Sequence, residues 1–157
     1  MKAACLFVLL TLLFVANATA ATDPFAGTWV LDASRSEYPD GECPKTMTIE
    51  MDTVGKRVHY RSETIFADGR TAQAEYTADY DGNQVLVTGK RGLRLPASLK
   101  RIDERTVVAS YTKGLLVIAT SRRVVSEDGQ QMTVTTTSQD ASGKNVRTIG
   151  IYKRQQS

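Results

Sequence analysis

Met132-Thr133-Val134-Thr135-Thr136-Thr137, then Ser142-Gly143, then Arg147-Thr148-Ile149-Gly150-Ile151-Tyr152 is the stretch on which the fold turns. Met132 and Val134 alternate with Thr133 and Thr135, the mark of a strand with one buried face, and the flanking residues are β-branched or aromatic. Gly143 supplies the positive φ that a tight hairpin turn requires. The stretch therefore predicts two antiparallel strands, near 131–138 and 145–153.

The same unit recurs upstream from Lys45. Turn signals stand at Gly55, Asp68-Gly69, Asp81-Gly82, Lys113-Gly114 and Asp128-Gly129. The spacing is 13 residues from Gly69 to Gly82, 15 from Gly114 to Gly129 and 14 from Gly129 to Gly143, which leaves a strand of ordinary length between turns. Met47, Ile49 and Met51 alternate with Thr46, Thr48 and Glu50, and Tyr76, Ala78 and Tyr80 alternate with Glu75, Thr77 and Asp79. Further strands are expected near 26–32, 45–53, 57–66, 71–79, 84–89, 98–102, 105–112 and 115–125.

Two stretches break the rhythm. Asp32 to Pro44 reads as a loop with one helical turn near Ser34 to Glu37, and in Leu93 to Leu99 the proline at 96 argues against a central strand. A meander of about ten strands exposes two sheet edges unless it closes. The expected fold class is all-β, an antiparallel up-and-down meander β-barrel forming one domain over 21–157.

Residues 1–20 read as a signal peptide: Lys2 precedes the apolar run from Leu6 to Val15, which ends in Ala18-Thr19-Ala20. Interrupted by Thr11, that run is short for a membrane span, so no span is expected in a mature chain starting near Ala21. Cys5 precedes the apolar run, whereas a lipidated cysteine follows it. The expected destination is the periplasm or the secreted fraction. Cleavage would leave Cys43 as the only cysteine, so no intramolecular disulfide could form and burial must supply the stability. Cys43 is read as inert, with linkage of two chains as the alternative, and a monomer is expected.

The formal charge is +3, and losing Lys2 lowers it by one. So weak a balance, with acids and bases interspersed, leaves no footprint for nucleic acid. The densest basic stretch, Lys90-Arg91-Gly92-Leu93-Arg94, reads as a solvated loop.

Phe25-Ala26-Gly27-Thr28-Trp29-Val30-Leu31 resembles the first strand of calycins, the superfamily of lipocalins and fatty-acid-binding proteins. Arg147 to Arg154 resembles the closing strand of the fatty-acid-binding branch. The whole mature chain is similar to exported bacterial lipocalin-like proteins, distantly related to fatty-acid-binding proteins. The resemblance implies that Gly27 and Trp29 form a structural barrel end, with the indole plugging it beneath a last-strand cation, for which Arg147, Lys153 and Arg154 are candidates. It also implies that Tyr152 faces inward with Val146, Thr148 and Gly150. Fatty-acid-binding proteins carry an arginine two residues before that tyrosine; here the position holds Gly150, which offers no charge to a carboxylate.

Tyrosine gives a cavity an apolar wall and a hydroxyl, which suits an amphipathic ligand. Tyr60, Tyr76, Tyr111 and Tyr152 are the candidate ligand-binding residues, with Tyr80 in the same set. Arg61, Arg122 and Arg123 could contact an anion but are read as lying on the solvated outer face. His59 is the only histidine, too few for a zinc site or a triad, and the carboxylates, Glu63 and Glu75 among them, are scattered. No metal site, cofactor or catalytic residue is expected, and the chain is not read as an enzyme. The expected function is to hold a small hydrophobic or amphipathic ligand in the barrel. The alternative is a non-enzymatic cell-envelope protein-interaction module with a side-chain-filled barrel, binding through an edge strand or the Asp32 to Pro44 loop.

Overall fold

The computed structural model describes residues 22–39 and 41–156; the leader expected over 1–20 lies outside them. Ten strands follow in chain order: β1 (Gly27–Leu31), β2 (Pro44–Val54), β3 (Arg57–Phe66), β4 (Thr71–Ala78), β5 (Asp81–Thr88), β6 (Arg94–Asp103), β7 (Thr106–Lys113), β8 (Leu116–Val125), β9 (Gln131–Gln139) and β10 (Asn145–Arg154). Each pairs antiparallel with its chain neighbour, and β1 pairs with β10, so the meander closes into a barrel. Closure removes the two edges that an open sheet of this length would leave unpaired.

Three details depart from the expected layout. Asp81-Gly82 does not make the β4–β5 turn; the chain bends at Tyr80, with φ 55°, and Asp81, already in β5, pairs with Lys100 of β6. β6 begins at Arg94, four residues before the expected start, and includes Pro96. Pro96 is tolerated because it pairs with Leu86 of β5, while pairing to β7 starts only at Ala97, so the proline stands at a local edge. Within the expected loop, Ala33–Arg35 forms a 3-10 turn, Glu37 exchanges two 2.8 Å backbone hydrogen bonds with Ile149, and Pro44 belongs to β2.

The seam between β4 and β5 is the weakest in the wall. Glu75 and Thr88 are their one registered pair, whereas β2 and β3 pair from end to end. Unpaired backbone groups along a seam open to water at little cost. Amides of β4 and β5 facing the seam are therefore expected to exchange with solvent faster than those shared by β2 and β3, measured residue by residue by hydrogen exchange. Equal protection at both places would contradict the register.

The two ends of the barrel differ. One end carries the β2–β3, β4–β5, β6–β7 and β8–β9 turns together with the segment leading into β1, and it is packed solid by Phe25, Trp29, Met51, Val58, Leu99 and Val125, all buried. Toward the other end the inward positions turn small and hydroxylic, with Ser62, Thr64, Ala109 and Ser121 all buried. Bulk at one end and short side chains toward the other leave the fold with a plugged base.

Candidate functional site

Inward phase along each strand follows from period-two alternation and is fixed by register. Ala119, Ser121, Arg123 and Val125 share the inner face of β8, so Arg123 points into the barrel, not out of it, and is 3% exposed. This overturns the outer-face reading of Arg123. For Arg61 and Arg122 that reading holds, and both are exposed.

Arg123 is met by aromatic side chains from three other strands. Its guanidinium donates to the Tyr76 hydroxyl at 2.5 Å and to the Tyr111 hydroxyl at 3.4 Å. It also lies over the Tyr60 ring, 4.7 Å from the centroid, and Tyr60 stacks on Tyr76 at 4.6 Å with planes 9° apart. The rings' negative faces suit a cation held away from water. Burial opposes the charge on Arg123, but the oxygens of Tyr76, Tyr111, Tyr60 and Tyr80 outweigh it and raise the pKa well above that of an ordinary arginine. Burial pushes Tyr76 well above an ordinary phenol, and Tyr60 upward, despite the nearby cation. The phenols therefore stay neutral, and this part of the interior carries a net positive charge.

No ion pair among the described residues includes Arg123. A guanidinium has five N–H donors, and the two hydrogen bonds use only two of them. The cation is held in place without a counter-charge.

Three of the four candidate tyrosines, Tyr60, Tyr76 and Tyr111, thus gather at this cation. Tyr152 is also buried, but its hydroxyl meets the Met47 sulfur at 3.1 Å and stands beside Tyr38. Tyr38 and Tyr152 occupy the space a side chain at 150 would need: a Cβ there would sit 2.8 Å from the Tyr152 ring and 3.0 Å from the Tyr38 hydroxyl. The cation missing at Gly150 reappears two strands away, because Arg123 pairs with Val134 and Val134 with Gly150 in one cross-strand row.

At the plugged base, Trp29 is fully buried and its indole N–H donates to the Phe25 carbonyl at 2.9 Å. Of the three candidate cations, Arg154 covers it, 4.2 Å from the ring centroid. Arg154 also donates to the carbonyls of Gly129 and Pro24, at 2.6 Å each, and of Ala26. Gly27 belongs to this base: its φ is 114°, and a Cβ would lie 2.8 Å from the Arg154 guanidinium. Arg101 completes the cover over Phe25 and pairs with Asp23 at 2.5 Å.

Lys153 instead pairs outward with Asp32 at 2.7 Å. The hydrogen bond from Lys153, then that from Ser34, lowers the Asp32 carboxyl pKa to about 2. A folded-state value below the unfolded one, about 3.9, means stability that is present above that pH and lost as pH falls toward 2. Asp32→Asn is therefore expected to flatten the dependence of the thermal midpoint on pH across that acid range. An unchanged slope would exclude the pair as a contributor.

His59 meets Glu75 at 2.9 Å, but on the outer face, where half the Glu75 side chain is exposed. Glu63 faces Gln73 and Glu75 faces Arg61 across the hairpin, so the two carboxylates do not oppose each other. Among the described residues no three His, Cys, Asp or Glu side chains gather as metal ligands, and no helix is long and apolar enough to cross a membrane. Cys43 is a half-buried free thiol.

Known structures share this architecture. A Schistosoma mansoni fatty acid binding protein in complex with arachidonic acid matches with TM-score 0.60 and 20% identity, over 85% of this chain and 97% of that one. The zebrafish ileal bile acid-binding protein complexed with cholic acid matches with TM-score 0.58 and 12% identity, over 84% of this chain and 99% of that one. The chain has the fatty-acid-binding-protein fold. A Mycobacterium tuberculosis protein matches as well, with TM-score 0.53 and 13% identity over 85% of this chain and 94% of that one. No family model and no curated protein matches the sequence. At such identities the likeness concerns the ten-stranded barrel fold and not its contents.

Proposed function

We propose that this chain is an exported binding protein that holds a small amphipathic molecule in the barrel, with an anionic head group on Arg123. The observation that carries the reading is a buried guanidinium with no carboxylate partner, framed by the hydroxyls of Tyr76 and Tyr111. Burying an ion costs several kcal/mol, and a cation left without a counter-ion is an unmet demand that a bound anion supplies. The inward side chains toward the end opposite the base are short, where an apolar body would lie, whereas the base is filled. Two structural neighbours are described with acids bound, cholic and arachidonic, and the interior charge here suits that chemistry. Non-enzymatic binding is the reading that fits a lone cation among neutral phenols.

A dansyl-labelled undecanoic acid and its methyl ester test the proposal. The acid is expected to bind at least tenfold tighter than the ester, read by dansyl fluorescence, and native mass spectrometry of the purified protein is expected to show a retained anionic amphiphile. Equal affinity for both probes, or binding of neither, overturns the head-group assignment. Export is proposed on residues 1–20 alone: amino-terminal sequencing of protein from culture fractions should begin near Ala21, and retention of Met1 in the accumulated protein would refute it.

A further inference from the structure

The β7–β8 hairpin ends in a loosely paired ribbon at the end of the barrel opposite the base. β6 pairs with β7 only from Tyr111 downward, and β9 pairs with β8 only from Ala119. Beyond those points Thr112 pairs with Val117 and Lys113 with Leu116, and the ribbon has no registered backbone partner on either outer side, although the Thr112 hydroxyl reaches the Pro96 carbonyl at 3.5 Å. A register shift between Tyr111 and Thr112 marks the place where the ribbon leaves the sheet. Three residues of strand carry it roughly 10 Å past the last registered β8–β9 pair.

The ribbon's tip is apolar. Leu115, Leu116, Val117 and Ile118 are consecutive and exposed, at 103%, 72%, 61% and 39%. Soluble surfaces scatter single apolar residues but rarely expose four in a row. The nearby 3-10 turn, Lys90–Gly92, and the start of β6 add an exposed Leu93.

Cations share this end of the barrel, with Arg94 and Lys113 next to the ribbon and Lys90 against β4 in a groove that Glu63 and Glu75 also line. Lys90, Arg91, Arg94 and Lys113 are all exposed at the same end, and extending the β6–β7 register sets Lys113 beside Leu95. There is no Asp or Glu from Gly82 to Ile102, nor from Arg105 to Ser126. The nearest acid in the adjoining β9–β10 turn, Asp140, is engaged by the Ser142 hydroxyl and the backbone amides of Ser142 and Lys144.

We propose that this hairpin docks this end of the barrel onto an anionic lipid surface. The four apolar residues enter the boundary between head groups and acyl chains, while the neighbouring cations meet the anionic head groups. An apolar element with Lys and Arg beside it binds such an interface at a depth of about 5–10 Å, which the ribbon's length past its last registered pair matches. Entry stops there because the ribbon's unpaired backbone groups need the water and head groups of the interface and find no partners deeper in hydrocarbon. Charge decides against a second copy as the occupant: a two-fold contact through this tip would set the cations of both copies against each other. The docking is independent of the interior cation, since none of its residues contacts Arg123.

Flotation with vesicles of phosphatidylcholine containing phosphatidylglycerol, and with pure phosphatidylcholine, tests the proposal on the full protein. Binding to the anionic vesicles is expected at low salt and should weaken as salt is raised. Leu116→Asp should abolish it, and Arg94→Gln with Lys113→Gln should lower the affinity roughly 30-fold, taking each charge at its usual surface value. These side chains are exposed, so the thermal midpoint should not move. A Val117→Trp reporter checks depth, because Trp29, the only native tryptophan, is buried at the opposite end. Its fluorescence should shift to the blue on anionic vesicles and be quenched by lipids brominated near the head group. Absence of vesicle binding, binding unaltered by Leu116→Asp, or a concentration-dependent dimer lost with Leu116→Asp and without lipid affinity overturns the assignment.

Discussion

Replacing Trp29 by alanine is expected to destabilise the protein by about 3–5 kcal/mol, the cost of emptying a fully buried aromatic site. The thermal midpoint should fall by roughly 10 °C or more. The effect exceeds that of an ordinary core truncation because several groups depend on the ring. The indole fills the base beside Phe25, its N–H satisfies the Phe25 carbonyl, and its face supports the Arg154 guanidinium at 4.2 Å. Losing the ring leaves a cavity and removes a cation–π contact worth about 0.5–2 kcal/mol. Arg154→Met should cost less than Trp29→Ala, since the indole stays packed while the carbonyls of Gly129, Pro24 and Ala26 lose their donor. Trp29→Phe should fall between them. Urea titrations of the three variants measure the order, and a Trp29→Ala midpoint equal to wild type would remove the base from the account of stability.

The barrel itself was legible because its rules are local. Met132 and Val134 against Thr133 and Thr135, and a glycine or Asp-Gly signal after most runs, specify strand, face and turn without knowledge of distant residues. Tyr76 followed from the same period and Tyr152 was placed by resemblance, while the phase of Tyr60 and Tyr111 was not fixed by either. What local rules could not supply was the identity of neighbours across the barrel. Three last-strand cations could have covered Trp29; the register that opposes Trp29 to Arg154 and Leu31 to Tyr152 selects one. The start of β6 was hidden because Pro96 is excluded from a central strand, and only the offset between the β5 and β7 pairings makes its position an edge.

Arg123 is the instructive case. An arginine on a strand is ordinarily solvated, and the groups that hold this one inside lie 12 and 47 residues away in sequence. Yet Arg122-Arg123 contained the clue. In the wall of a closed barrel consecutive residues face opposite ways, so two adjacent arginines within one strand must place one of them inside. Choosing which one required the phase of β8, and Val117, Ala119, Leu116 and Ile118 left both faces apolar. The exposed tip explains that ambiguity: Leu116, Val117 and Ile118 lie past the last registered β8–β9 pair and are exposed on both faces.

Replacing Arg123 by methionine is expected to separate binding from stability. If the guanidinium were a structural element, its loss would leave the hydroxyls of Tyr76 and Tyr111 without a donor and the midpoint would drop. If it is kept for an anion, the ligand-free protein bears the desolvation cost of a cation with no counter-charge, offset only by phenols and ring faces. Methionine fills similar volume without that cost, and the Tyr76 hydroxyl retains the Tyr80 hydroxyl at 3.4 Å. The thermal midpoint without ligand should therefore hold or rise. Affinity for the dansyl-labelled acid should fall roughly 100-fold, the scale of a buried charge-assisted hydrogen bond, while affinity for its methyl ester stays within a few-fold. Arg123→Lys separates charge from shape: a point charge should restore part of the preference for the acid without the planar stacking over Tyr60. A Met variant that loses acid and ester binding together with its midpoint would make Arg123 a structural residue. One that keeps its preference for the acid would move the anion site elsewhere.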